Sequence, residues 1–154
     1  MITVKMIADR LLEILAERYP SCTFYAHSLP ESIARPSFNI YLEADRSEDS
    51  SLISTNETVS MGIVYYSPLT GPILDELKHF AVYSNIKDLF RMGYIQVGGR
   101  SLKVVLLRGG KQDNEIYLIV KLVYVDGRPQ DDTGSGTTYD LIGEVNIKTE
   151  RNIS

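Results

Sequence analysis

The stretch from Tyr94 to Asp126 constrains this chain most, because its last part alternates like a strand yet is apolar on both sides. From Glu115 onward, Ile116, Leu118, Val120, Leu122 and Tyr124 take one parity, and Tyr117, Ile119, Lys121, Val123 and Val125 the other. Period-two patterning rich in Val, Ile and Tyr specifies a β-strand. A strand wetted on one side shows a cleaner apolar/polar split, so this one predicts a covering on both faces for part of its length. Upstream, Tyr94 opens a short strand and Gly98-Gly99 makes a turn. Leu102, Val104 and Leu106 then alternate with Lys103, Val105 and Leu107 in a strand ending near Arg108, and Gly109 to Asn114 reads as a polar turn. The chain's own helices are expected to cover one face of this unit and a neighbouring subunit the other.

The elements before it supply the helices and further strands. Thr3 is placed to cap a helix in which Val4, Ile7, Ala8, Leu11, Ile14 and Leu15 recur at helical spacing, running to about Arg18 and stopped by Pro20. Thr23 to His27 is a short strand. Ser37 to Asp45 alternates, with Phe38, Ile40, Leu42 and Ala44 on one face against Asn39, Tyr41, Glu43 and Asp45. Arg46 to Asn56 is polar and reads as a loop or flexible hairpin tip, followed by a strand from Glu57 to Tyr66. Pro72 suits the first turn of a second helix reaching about Arg91. Ile73, Leu74, Leu77, Phe80 and Ala81 would form its inner face and His79 would face solvent. Its stripe slips in phase afterwards, which predicts a kink near Ser84-Asn85, and Gly93 ends it.

Strands and helices do not alternate strictly, which argues against a doubly wound parallel sheet. The order predicts an α+β domain over 1-126, a mostly antiparallel sheet with two helices packed on one face. Residues 127-154 read as a flexible linker followed by a short apolar segment, Tyr139, Leu141, Ile142, Val145 and Ile147. That segment is too short for a core of its own and is expected to fold back as an edge strand or dock on another subunit.

Composition narrows the chemistry. The chain has 154 residues and a formal net charge of -4, with its basic residues scattered, which argues against phosphate-backbone binding. Met1 to Ala16 carries charges throughout, unlike a signal peptide, and no apolar run approaches the ~18 residues of a membrane span. Cys22 is the lone cysteine and reads as a small buried hydrophobe. His27 and His79 lack metal-ligand spacing, and Asp45, Glu48 and Asp49 lack the spacing and glycine of a calcium loop. No phosphate-binding, nucleophile-elbow or zinc-protease motif occurs. Ten tyrosines and no tryptophan lean toward a partner surface, since tyrosine offers large contact area with a polar tip.

Taken together, the helix ending Arg18-Tyr19-Pro20, the proline-led strand Arg35-Pro36-Ser37-Phe38-Asn39-Ile40-Tyr41-Leu42, the strand Val59 to Tyr66, the Pro72 helix, the hairpin Ile95 to Leu102 and the ending Tyr139 to Ile147 make the chain similar to one family. It resembles the tail-terminator proteins of long-tailed bacteriophages, including prophage versions from Gram-positive bacteria. The resemblance implies a structural subunit of the virion tail, assembled in the host cytoplasm, with no active site, metal or cofactor. It implies a hexameric ring that caps the tail tube, ends its polymerisation and presents a surface to head-completion proteins. Interface candidates are Arg46, Glu48, Asp49, Leu52 and Ile53 in the polar loop, Tyr117 on the last strand, and Tyr139, Leu141, Ile142, Val145 and Ile147 in the tail. The rival readings are another neck or tail-completion protein of similar fold, or a small-ligand-binding domain or enzyme. The last needs a pocket with convergent polar groups, and the sequence shows no such constellation.

Overall fold

The computed structural model describes residues 1–68, 76–112 and 115–127. The first helix, α1 (Val4–Arg18), starts where Thr3 Oγ1 accepts the Met6 N–H at 3.1 Å, and its stripe of Ile7, Leu11 and Leu15 is wholly buried. Then follow β1 (Thr23–Ala26), β2 (Ser37–Asp49), β3 (Ser54–Tyr66), α2 (Glu76–Asp88), β4 (Tyr94–Val97), β5 (Arg100–Gln112) and β6 (Glu115–Gly127). The strands form one six-stranded sheet in the order β1-β2-β3-β6-β5-β4. The sheet is mixed, which corrects the expectation of a mostly antiparallel one. β1 runs parallel to β2, because the chain between Ala26 and Ser37 returns to the end of the sheet from which β1 started.

The polar stretch Arg46 to Asn56 is not a loop. Arg46 to Asp49 continue β2 and Ser54 to Asn56 open β3, with only Ser50 to Ile53 left to turn. Low side-chain hydrophobicity marked this stretch as a loop, but the backbone ladder does not need apolar side chains. A cross-strand hydrogen bond from Ser47 Oγ to the Glu57 carboxylate (2.6 Å), and one along β3 from Thr55 Oγ1 to the same group (2.7 Å), support the arm instead. The glycine-rich stretch after Arg108 is likewise strand, since β5 keeps its ladder with β6 through Gln112 opposite Glu115.

Two register shifts change which side chains point inward. One lies between Leu42 and Ala44, the other between Val104 and Leu106. An extra residue flips every later side chain to the other face. Ala44 therefore does not share a face with Phe38 and Ile40, and Leu106 is not a partner of Leu102 and Val104. Leu42 and Leu106 are 40% and 46% exposed, while Leu107 packs against the core.

The second helix also differs from the expected phase. Phe80 is 56% exposed and His79 is buried. With His79 inside, His79, Val82, Tyr83, Ile86, Leu89 and Phe90 form one unbroken stripe, so the apparent slip disappears and α2 is continuous through Ser84 and Asn85. The expected inner residues Ile73 and Leu74 lie outside the described residues. Past α2 the chain stops at Gly93, whose φ is 94°, and Gly98 and Gly99 (φ 56° and 80°) make the two-residue turn into β5 that demands two left-handed residues.

Ile7, Leu11 and Leu15 of α1 and Ile86 of α2 enter one cluster with Phe38, Ile40, Met61, Ile63, Leu102, Leu118, Val120 and Leu122. At its margin Asp126 ties the chain start to the last strand. Its carboxylate accepts Ile2 N–H at 2.9 Å and Arg100 Nη1–H at 3.0 Å. Burial alone would raise the pKa of Asp126. The hydrogen bonds from Ile2 and Gly127, with the N-terminal ammonium and Arg100, outweigh it and hold the pKa below its ordinary value.

Two predictions follow from this packing. Leu118→Ala should cost about 2–5 kcal/mol by urea denaturation, whereas Phe80→Ala should cost about 1 kcal/mol or less. Because the folded pKa of Asp126 is depressed, its contribution is complete above the ordinary value of 3.8 and is lost as pH falls through the lower folded value. Asp126→Asn should be less stable than the parent at pH 7 and should show a flatter decline in stability below pH 4, measured by denaturation across pH.

Candidate functional site

The face of the sheet opposite the buried parity is built in transverse rows. One row runs Tyr41, Gly62, Ile119, Arg108, and the next runs Asn39, Val64, Tyr117, Gly110. Gly62 has a reason to be glycine: a Cβ there would strike the Tyr41 ring, which lies flat across it. The half-buried rings of Tyr41, Tyr66 and Tyr117 pave this face, and Ile119 beneath them is 4% exposed. The Arg35 guanidinium sits 5.6 Å from the centroid of Tyr66 and donates to the Ser67 carbonyl at 2.9 Å.

Between these rings lies a hollow of about 380 Å³, lined by Tyr41, Glu43, Val64, Arg108, Gln112, Glu115, Tyr117 and Ile119. Convergent polar groups from three strands thus meet at one place, contrary to the sequence expectation. Glu43 and Arg108 approach to 3.9 Å across the hollow, a loose, half-exposed ion pair of small net value. Burial pushes the Tyr41 phenol up from its ordinary pKa, Glu43 adds to the rise and Arg108 opposes it. Burial also raises Tyr66, helped by Glu115 and opposed by Arg35. Tyrosine is protonated at neutral pH and burial only strengthens this, so both phenols offer O–H donors beside a carboxylate and a guanidinium.

Of the expected interface residues, Tyr117 belongs to this face. Arg46 and Glu48 pair with each other on the β2–β3 arm, Asp49 lies beside them, and Leu52 and Ile53 stand at its tip, 93% and 69% exposed. Gly127 pairs with Ser54 at the tip end of the arm, so ten residues of β6, about 33 Å, separate Tyr117 from this region. The structure does not bring these two groups together. Tyr139, Leu141, Ile142, Val145 and Ile147 lie outside the described residues. Sequence reasoning missed Glu43, Arg108, Gln112 and Glu115. The signal that identifies them is the parity opposite the core, together with a glycine between Met61 and Ile63 where a bulky residue would fit the alternation.

Burial raises the pKa of the half-buried Cys22 thiol, which disfavours the reactive thiolate. Among the described residues, no group of His, Cys, Asp and Glu is arranged to hold a metal ion. No helix among them is long and apolar enough to cross a membrane. What this face can do is present flat amphipathic rings, an apolar floor and opposed charges to another surface, the make-up of a protein contact.

These features define the class of a small mixed-sheet subunit with a tyrosine-paved face. Residues 6–134 match the model of a family described as phage tail terminator protein. The chain belongs to that family, and is a structural component of a phage tail. No curated protein matches it. One solved structure covers 86% of this chain and 100% of its own at 13% identity with a TM-score of 0.48, a likeness too distant to argue from.

Gly62→Ala should displace the Tyr41 ring at a cost of about 1–3 kcal/mol, and pairing it with Tyr41→Ala should recover part of that loss. Spectroscopic alkaline titration should also show one tyrosine of the single variant moving back toward its ordinary pKa.

Proposed function

We propose that this chain closes the end of a phage tail tube as a hexameric ring, stops further addition of tube protein and offers its other side to the head-completion proteins. The match of residues 6–134 to the tail terminator family carries this reading. The physical chemistry supports it, because tyrosine rings over an apolar floor gain from being covered by another protein surface. In this reading the chain has no catalytic role, binds no sequence-specific nucleic acid and assembles in the bacterial host cytoplasm, with a prophage of a Gram-positive bacterium as its source.

Different regions then serve different partners. The β2–β3 tip, with Leu52 and Ile53 exposed at its end, meets the tube or a neighbouring subunit, and Arg46, Glu48 and Asp49 set the polarity of that contact. Tyr117 and its surrounding face meet the tube or a neighbouring copy. The segment carrying Tyr139, Leu141, Ile142, Val145 and Ile147 docks on another subunit.

The experiment is tube growth from purified tail-tube protein with and without this chain, read by electron microscopy and light scattering. Tubes should stop at limited length with ring-shaped density at one end, and a chain ending at Gly127 should bind tube ends more weakly. Tubes that keep growing in an excess of the full chain, with none of it bound at their ends, would sink the proposal.

A further inference from the structure

Two long strands of the sheet carry outer edges that no described strand covers. β1 pairs with β2 only from Ser37 to Ile40, and β4 pairs with β5 only from Arg100 to Lys103. Beyond these short partners β2 continues to Asp49 and β5 to Gln112. Both continuations lie past a bulge and are regular on their inner side, from Ala44 with Ser60 on β2 and from Leu106 with Lys121 on β5. Such an edge is a template for another strand, which soluble proteins blunt with proline, charges, a bulge or a covering loop; here charges and a bulge are present and no proline or described cover is. Neither run contains a proline, and Leu42, Val105 and Leu106 are each 40% or more exposed along them.

The two edges are complementary. β2 carries Glu43, Asp45, Glu48 and Asp49 against a single Arg46. The open run of β5 carries Arg108 and Lys111 and no acid between Val104 and Gln112. Direction agrees as well. β2, β3, β6 and β5 alternate in direction, so β5 of one copy meets β2 of the next antiparallel when all copies point the same way.

We propose that β5 of one copy adds to the open edge of β2 in the next, so that the sheets of successive copies join into one continuous wall. This deepens the ring reading above and rests on it. The contact is head-to-tail, one surface meeting a different one, which is the kind that closes into rings. Geometry sets the slide. Across one subunit Ala44 stands level with Leu106, through Ser60 and Lys121. Bringing the regular runs fully opposite each other needs a slide of about four to six residues per copy, at roughly 3.3 Å each. Four strands per copy are about 19 Å wide, so the strands tilt by roughly 35–45°, the range in which sheets close into barrels. Slides of even number keep the two faces continuous and leave the tyrosine-paved face on one side of the wall throughout.

The test is cross-linking in the full chain with Cys22→Ala as background. Glu48→Cys and Leu106→Cys are made in separate batches, mixed alone and with tail-tube protein, and treated with a short bis-maleimide. Both positions are exposed, so the variants keep the fold. A 48-to-106 linked pair should form severalfold more than either same-site pair, and higher linked multiples should appear when both substitutions share one chain. Copies that associate by light scattering yet give no such link would overturn the edge joint and leave the ring reading standing. Copies that associate under no condition, with tube ends or without, would overturn both.

Discussion

The structure depends on the pairing of β3 with β6. Twelve residue pairs run without a shift from Ser54 opposite Gly127 to Tyr65 opposite Ile116. Everything else hangs from this ladder. It fixes Val59, Met61 and Ile63 beside Leu118, Val120 and Leu122 as the floor on which α1 and α2 deposit their stripes. A slip of one residue here would turn that floor to the opposite side and expose it. Both neighbouring strands, β2 and β5, carry a bulge, while the central pair carries none. Irregularity is thus confined to strands whose outer neighbours are short, where bending and twist cost least.

The same ladder separates two kinds of chemistry. One parity is apolar and for most of its length removed from water, and its burial provides much of the stability of the domain. The other is tyrosine, glycine and opposed charges, partly wet and of little use as a core. Protonated phenols, whose pKa burial raises further, can give a hydrogen bond without the cost of desolvating a full charge. A surface of that kind gains modestly from each partner contact and tolerates solvent when uncovered.

Much of this was legible in the residues because periodicity is a direct image of geometry. Thr3, the α1 stripe, the Gly98-Gly99 turn and the two-sided β6 were all readable, each from local spacing or a backbone demand. What was not legible came from partners distant in sequence. The polar run 46–49 is strand because β3 lies beside it, not because of its own preference. Polarity places His79 outside and Phe80 inside, whereas the helix phase is set by Ile86 and Phe90 docking further on. Bulges leave almost no trace in a single sequence, so Ala44 and Leu106 were assigned to the wrong face. The candidate face was only partly visible for the same reason: Tyr117 stood out as an aromatic on a strand, whereas Glu43 and Arg108 become neighbours only through two intervening strands.

The length of the β2–β3 arm then needs a cause beyond the core. From Glu43 to Ser51 the side chains are exposed, and the polar contacts Ser47–Glu57, Thr55–Glu57 and Arg46–Glu48 offset little of the entropy of ordering them. Burial in this subunit alone does not account for an arm carried so far past the last core residue, Val59. β6 follows it to Gly127, and Asp126 there anchors both Arg100 and the start of the chain. The ladder is therefore kept out to a turn, Ser50 to Ile53, whose side chains are all exposed. An ordered, charged, proline-free strand edge held beyond the core is a feature whose benefit appears when a second chain meets it, and that is the physical ground for seeking the joint between copies there.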